Sequence, residues 1–183
     1  MPIGKFLYYG DFFAIPIAIA ILVYFAFAAG GFQSSPDFAF ALGIGLATWT
    51  LVEYGVHRFA YHHAPLVSAL HDSHHQSPDE FIGVPSFVSS GFLIVACYVP
   101  VRVFDAVAAG GFTSGMLLGY AAYMYIHHAT HHFAIRPGDW LYQARLRHMA
   151  HHYHGDANFG ICTGFWDQVF GTTGARRGRF ART

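Results

Sequence analysis

The chain has 183 residues, enough for one domain, and only 11% of them are charged whereas 54% are hydrophobic. An ordinary globular domain carries about 25% charged residues, so this composition indicates a protein that meets lipid more than water. The formal net charge is +0 at pH 7. Because the basic residues are scattered outside the C-terminal tail, the sequence does not favour a nucleic-acid partner.

Four apolar runs follow one another along the chain, at residues 12–32, 38–52, 84–101 and 106–126. A helix needs about 20 apolar residues to cross a bilayer, so the first and last runs can span alone and the middle two can span with their flanks. A soluble helix of this length would be interrupted by charges every turn or two. The sequence therefore predicts an all-α integral membrane protein with about four transmembrane helices, in a single domain that covers residues 1–183.

The basic residues predict the orientation of these spans, because Lys and Arg are concentrated on the cytoplasmic side of membrane proteins. Of the 10 Lys and Arg residues, only Arg102 lies between the third and fourth spans. The others precede the first span or follow an even-numbered span: Lys5, Arg58, Arg136, Arg145, Arg147, Arg176, Arg177, Arg179 and Arg182. A multi-pass protein with both termini in the cytoplasm is expected.

The 14 histidines all follow the second or the fourth apolar run. They are therefore expected together in a helical cap at the cytoplasmic surface. Clustered imidazoles repel one another when protonated and need polar partners when buried. A shared metal ion supplies such a partner.

Two segments repeat the pattern His-x-x-His-His, namely HDSHH (71–75) and HMAHH (148–152). On an α-helix these positions lie on one face, so each segment is expected to present three imidazoles to a metal. Two further segments contain pairs. The histidines of HRFAYH (57–62) are five apart, about 140° round an α-helix, a spacing that suits a helix end or two metals more than one face.

The segment HHATHH (127–132) contains two pairs at helical spacing, His127 with His131 and His128 with His132. Spacing alone does not choose between them. With one of these pairs, the motifs supply about ten imidazoles, and one ion accepts at most about six ligands. The count predicts two ions with about five ligands each, and room on each for an oxygen ligand, whereas a structural zinc site is closed with four.

In this order and spacing, the histidine motifs resemble those of the fatty acid hydroxylase/sterol desaturase superfamily of membrane di-iron enzymes. The segments EYGVHRFAYHH (53–63) and HHYHGDANFGICTGFWDQVFGT (151–172) are most similar to the fatty acid 2-hydroxylases. The likeness covers roughly residues 53–172. Carried over position by position, it implies ten metal ligands: His57, His62, His71, His74, His75, His127, His131, His148, His151 and His152.

The remaining histidines, His63, His128, His132 and His154, are left as groups that orient the ligands, line the substrate pocket or lie at the surface. Six carboxylates close to the motifs are candidates for orienting the ligands: Glu53, Asp72, Asp79, Glu80, Asp139 and Asp156. Eight aromatic residues are candidates for the lining of a substrate cleft: Tyr54, Phe59, Tyr61, Phe81, Phe87, Phe159, Phe165 and Trp166.

The resemblance implies a membrane-bound, O2-dependent hydroxylase that acts on an alkyl chain of a lipid, here at carbon 2 of a fatty acyl chain. It implies two iron ions, O2 as co-substrate and an external electron donor. Zinc could replace iron in purified protein, because nitrogen sites generally bind zinc more tightly than ferrous iron. The alternative within enzymes is a sterol or carotenoid hydroxylase or desaturase.

Two features depart from the resemblance. Met124 occupies a position where members with the same C-terminal motif often carry an aspartate. Nothing in the chain resembles a cytochrome b5 domain, so a separate redox protein, cytochrome b5-like or ferredoxin-like, is the expected partner. A metal-binding or metal-transporting membrane protein is the more distant alternative, because transport sites lie near the bilayer midplane and these apolar runs hold no histidine.

Overall fold

The computed structural model describes residues 4–174, and every regular element among them is helical. The helices are, in chain order, α1 (Lys5–Gly30), α2 (Ser35–Gly55), α3 (Pro65–Gln76), α4 (Val88–Arg102), α5 (Ala106–His132), α6 (Tyr142–His154) and α7 (Phe165–Val169). A 3-10 turn (Phe32–Ser34) precedes α2 and a π-helix (Val56–Tyr61) continues it. The predicted all-α class is confirmed. Part of the predicted orientation rests on Arg176, Arg177, Arg179 and Arg182, which lie outside the described residues.

Two continuous helical segments are long and apolar enough to cross a membrane, Lys5–Gly30 with a mean hydropathy of 2.5 and Phe32–Tyr61 with one of 1.3. Only 17% and 22% of the residues in their apolar windows are buried inside the protein. Their large apolar side chains therefore face outwards, as a lipid environment requires. The third apolar helix, α4, is shorter, with 15 residues.

Helix α4 begins at Val88, four residues after the start of the apolar run 84–101. The cause is local, since Phe87 has a φ of 72°, outside the helical region. The backbone N–H of Ser86 donates a 2.8 Å hydrogen bond to the carbonyl of Leu7, and that of Phe87 donates a 2.9 Å bond to the carboxylate of Asp11. The residues that precede α4 in this run thus bind to α1 through hydrogen bonds and do not extend the helix.

Helix α5 lies at the centre of the bundle, where it packs against α1, α2 and α4. Glycines at every fourth position of α5, Gly111, Gly115 and Gly119, face α2. A Cβ atom at Gly115 would overlap the backbone carbonyl of Leu42, and one at Gly119 would overlap the Trp49 side chain. Small residues at this spacing let helix backbones approach closely, so they set the distance between the helices that carry the histidines.

We predict that Gly115→Ala destabilises the protein and that the matched change Gly43→Ala on α2 does not. The first Cβ meets backbone that cannot move aside, which costs about 1–3 kcal/mol, whereas no described residue has an atom within 4 Å of a Cβ at Gly43. Thermal unfolding of the detergent-purified variants measures the difference. Equal unfolding midpoints would show that the close approach of α2 and α5 is not required.

Candidate metal centre

The π-helix after α2 brings His57 and His62 to the same side of the chain. Their rings lie 5.6 Å apart, centroid to centroid, and are nearly parallel at 24°. In a π-helix each hydrogen bond joins residues five apart, so a spacing of five keeps both side chains on one face. The pair lies at a helix end, as its spacing indicated, because His62 directly follows the π-helix. The two rings share one face, which α-helical geometry did not predict.

The two His-x-x-His-His triplets each serve two clusters. In α3, His71 belongs to one cluster and His74 to the other; in α6, His148 belongs to the second cluster and His151 to the first. Positions i and i+3 of an α-helix are about 60° apart round the axis, enough for neighbouring residues to face neighbouring sites. The expectation that each triplet forms one metal-binding face was therefore wrong.

The larger cluster, called the five-histidine cluster here, draws one ring from α3, two from α5 and two from α6. Its members are His74, His127, His131, His148 and His152, each with one ring nitrogen within 4.8 Å of those of the others. The Nε2 atom of His148 lies 2.7 Å from Nε2 of His131 and 3.1 Å from Nε2 of His152. The structure thus brings His127 and His131 to the site, the pair that the resemblance favours.

The smaller cluster, called the four-histidine cluster, combines His57 of the π-helix and His62, directly after it, with His71 of α3 and His151 of α6. The distance between Nε2 of His57 and Nε2 of His71 is 3.3 Å. His75 lies at the border of the two clusters, with its Nε2 atom 3.0 Å from Nε2 of His71 and its ring stacked on His152 at 4.2 Å. All ten predicted ligands are therefore close together, nine of them in the two clusters.

Backbone carbonyls orient two histidines of the four-histidine cluster, His57 and His151. Nδ1–H of His57 donates a 2.6 Å hydrogen bond to the carbonyl of Phe159, and Nδ1–H of His151 donates a 2.8 Å bond to the carbonyl of Ala157. A carbonyl can only accept, so Nδ1 carries the proton and Nε2 presents its lone pair to the cluster. Ligating histidines in metal sites are commonly oriented in this way.

Two buried carboxylates hold the loop that supplies these carbonyls. Asp167 accepts 2.8 Å hydrogen bonds from the backbone N–H groups of Phe159 and Gly160. Glu53 accepts bonds of 2.6 and 2.8 Å from the N–H groups of Ile161 and Cys162. Glu53, one of the six candidate carboxylates, acts on the backbone of the loop, as Asp167 does.

The histidine clusters satisfy the requirements of metal binding. Burial, and then the charge that neighbouring imidazoles would carry, lowers the pKa of His74 and of His152 to about 3, from an ordinary value of 6.5. These rings are neutral at pH 7, with lone pairs free to bind a cation. Buried ring nitrogens of His62, His74 and His151 lack a hydrogen-bond partner among residues 4–174, a state that costs about 1–3 kcal/mol per group and that a metal ion would relieve.

The other four histidines lie outside both clusters. His63 and His154 are exposed. His128 and His132 stack on each other at 4.3 Å, and the hydroxyl of Tyr8 lies 3.2 Å from Nδ1 of His128. The second pair of HHATHH thus packs against α1 on another side of α5.

A cavity of about 100 Å³, called the inner cavity, touches histidines of both clusters: His57 and His71 from one, His74 and His127 from the other. A second cavity of about 220 Å³, called the outer cavity, lies between α2 and α4 and is lined by apolar side chains that include Val52 and Phe92. The two share part of their walls: His57, Tyr61, Val67, Val84, Ser89, Tyr120 and Tyr123. Phe92 is 70% exposed on the outward face of α4, so the outer cavity reaches from that face towards the histidines.

Tyr61, one of the aromatic residues expected to line a cleft, borders both cavities. Tyr120 and Tyr123, which were not predicted from the sequence, also border both cavities. The sequence does contain a signal for these two tyrosines. Positions 120, 123 and 127 share one face of an α-helix, and His127 is a candidate ligand. Met124, the departure from the expected aspartate, also lines the inner cavity.

Comparison with known proteins gives matches in sequence and in structure. The sequence model of the fatty acid hydroxylase family matches residues 42–172. The fatty acid 2-hydroxylase of Rattus norvegicus is 34% identical over 145 residues, which cover 70% of this chain and 38% of that protein. The ceramide very long chain fatty acid hydroxylase scs7 of Schizosaccharomyces pombe is 35% identical over 167 residues, covering 82% of this chain and 46% of that protein.

A solved structure of full-length scs7p, in which only the hydroxylase domain is visible, matches with a TM-score of 0.71 and 30% sequence identity. The match covers 87% of this chain and 65% of that one. The chain spans less than half of the length of the two curated relatives.

We predict about two metal ions per chain in protein expressed with added iron, as measured by elemental analysis. His131→Ala removes a donor from the five-histidine cluster and His62→Ala one from the four-histidine cluster, so each is expected to lose about one ion. His154→Ala is the control, because His154 is exposed and outside both clusters. A metal content that none of these changes alters would exclude the clusters as the binding sites.

We predict that Asp167→Ala weakens metal binding at the four-histidine cluster about 10- to 100-fold, the usual effect of removing a group that orients a ligand. Loss of the carboxylate frees the Phe159 backbone and with it the acceptor of His57. Asp156→Ala, a change of an exposed carboxylate in the same loop, is the matched control. If the metal titration curves of the two variants coincide, the loop does not orient the cluster.

Proposed function

The chain belongs to the fatty acid hydroxylase family, and on that premise we propose that it inserts one oxygen atom of O2 at carbon 2 of a fatty acyl chain. The resemblance to the 2-hydroxylases that the histidine spacing indicates is confirmed by the curated relatives. The observation that carries the proposal is the contact of one cavity with histidines of both clusters. An acyl carbon in that cavity would lie beside both metal sites.

The ten histidines named above are the proposed ligands, with His75 completing five for the second site. Imidazole suits iron as it suits zinc, and the set contains no thiolate that would select zinc. When bound, two iron ions would supply the redox chemistry that reduces O2 and removes hydrogen from an unactivated C–H bond. The net reaction consumes two electrons and two protons, with one oxygen atom in the product and the other in water.

The two cavities provide a binding site for an extended alkyl chain. Its tail is proposed to lie in the outer cavity, among Val52, Val56, Phe92 and Leu93, where burial of each methylene contributes about 0.8 kcal/mol. The carbonyl end then lies in the inner cavity, which contains the polar side chains of Tyr8 and Ser86. Because carbon 2 is bonded to the carbonyl carbon, a carbonyl in the inner cavity places that carbon at the histidines.

The loop 156–164 closes the four-histidine cluster from the side of α7. Phe159 and Ile161 are buried, at 6% and 1% exposure, and Phe159 packs against the rings of His57 and His151. An apolar cover of this kind excludes water from the site and favours oxidation of the substrate over loss of reducing equivalents to solvent.

The membrane arrangement proposed for the protein follows from the apolar runs and the basic residues. Four spans, formed by α1, α2, α4 and α5, would place both termini and the metal site on the cytoplasmic side. Residues 1–183 would then form one membrane-embedded domain. An iron-containing redox protein, cytochrome b5-like or ferredoxin-like, is the proposed electron donor at that surface.

We predict that cells expressing the protein accumulate 2-hydroxy fatty acids, and that 18O2 labels the new hydroxyl group. Mass spectrometry of hydrolysed lipids identifies the position and the label. A His131→Ala strain controls for the host's own lipids. Hydroxylation at another carbon, or a double bond instead of a hydroxyl group, would contradict the proposed regiochemistry.

We predict that Val84→Phe lowers hydroxylation at least about 10-fold while the metal content stays at the wild-type level, because the larger ring fills the wall shared by both cavities. Val88→Phe, an equal increase in volume on a residue 58% exposed at the start of α4, is the control. Equal activity of the two variants would show that the substrate does not occupy these cavities.

A further inference from the structure

Asp11 is a fully buried carboxylate, at 0% exposure, inside a helix apolar enough to span a membrane. An ionisable group at such depth is costly unless several hydrogen-bond donors surround it, so it usually has a functional role. Asp11 lies outside residues 42–172, the segment that the family model matches. Neither the histidine clusters nor the proposed reaction accounts for it.

The Asp11 carboxylate joins three helices. Its Oδ1 accepts a 2.9 Å hydrogen bond from the backbone N–H of Phe87 and a 2.8 Å bond from the hydroxyl of Ser90, both at the start of α4. Its Oδ2 accepts a 3.1 Å bond from the hydroxyl of Tyr120 on α5. One side chain of α1 thus fixes the beginning of α4 and a tyrosine of the central helix.

Tyr120 is the first ring of a stack that ends in the five-histidine cluster. Its ring lies 6.2 Å from that of Tyr123 at an interplanar angle of 19°, and Tyr123 lies 5.7 Å from the ring of His127 at 9°. Both tyrosines line the inner and the outer cavity. The orientation of Tyr120 therefore determines the shape of the wall that an acyl chain would contact.

We propose that Asp11 is a positioning residue for the substrate cavity: by holding the Tyr120 hydroxyl it fixes the Tyr120–Tyr123 wall in the shape that accepts an acyl chain. The inference rests on the proposed function for the identity of the substrate. It makes α1 part of the substrate-binding unit and gives it a role beyond membrane anchoring. Asp11 touches no histidine of either cluster, so its effect is on binding of the chain and not on the metals.

The test uses two single changes and their combination. Asp11→Asn keeps the size of the side chain but replaces one acceptor oxygen by a donor. Tyr120→Phe removes only the hydroxyl and leaves the two bonds from Asp11 to α4 in place, so it remains informative if Asp11→Asn fails to fold. Asp37→Asn at the exposed start of α2 and Tyr24→Phe on the exposed face of α1 are the matched controls.

Binding is measured on the metal-loaded protein without an electron donor, so that no turnover occurs, as the half-saturating concentration of a diazirine-bearing fatty acid for specific photolabelling. We expect an increase of about 10-fold in each single variant and no larger increase in the double variant, because both changes break the same contact. Metal content stays at the wild-type level, and KM for the fatty acyl substrate rises more than kcat falls. The controls bind as the wild type does.

Unchanged half-saturation in Tyr120→Phe, or effects that multiply in the double variant, would overturn the inference. A fall in metal content parallel to the loss of binding would also overturn it, since it would assign Asp11 a role in general folding. If Asp11→Asn weakens fatty acid binding as expected but the wild-type protein forms no 2-hydroxy product, the proposed function is refuted and the role of Asp11 in binding stands.

Discussion

The convergence of imidazole lone pairs is the constraint on which the rest of this structure depends. Within the five-histidine cluster the five ring nitrogens lie within 4.8 Å of one another, and within the four-histidine cluster the four do so as well. Ligands on opposite sides of one ion, each at about 2.1 Å, are about 4.2 Å apart, so these nitrogens are spaced as donors to single ions are. Without a cation, neutral rings at these distances leave buried nitrogens unpaired, whereas protonated rings repel.

The surrounding fold holds the donors in place from several directions. Close packing of α2 and α5 through Gly115 sets the separation of α5, which carries His127, from α2, which the π-helix with His57 continues. The loop anchored by Asp167 and Glu53 orients the four-histidine cluster through backbone carbonyls. These contacts act on different histidines, so we expect the two clusters to respond to different changes in the protein although they share α3 and α6.

Much of the site could be predicted from residue type and spacing, because the repeated histidine motifs follow alternate apolar runs and clustered imidazoles need a metal or another polar partner. The distribution of the histidines between the two clusters could not be predicted, since it depends on the π-helix at Val56–Tyr61 and on the 60° offset within each triplet. The late start of α4 and the contacts of Asp11 depend on the packing of α1, which a one-dimensional pattern does not contain. Residues outside the motifs, such as Asp11 and Tyr120, are therefore the ones that the motifs alone did not place.

Anomalous diffraction from crystals of the iron- or zinc-loaded protein tests the central claim most directly, because it locates each ion independently of activity. The account predicts two peaks, one among His74, His127, His131, His148 and His152 and the other among His57, His62, His71 and His151, with His75 beside the second. One peak, or a peak bound by groups outside these clusters, would contradict the two-metal site.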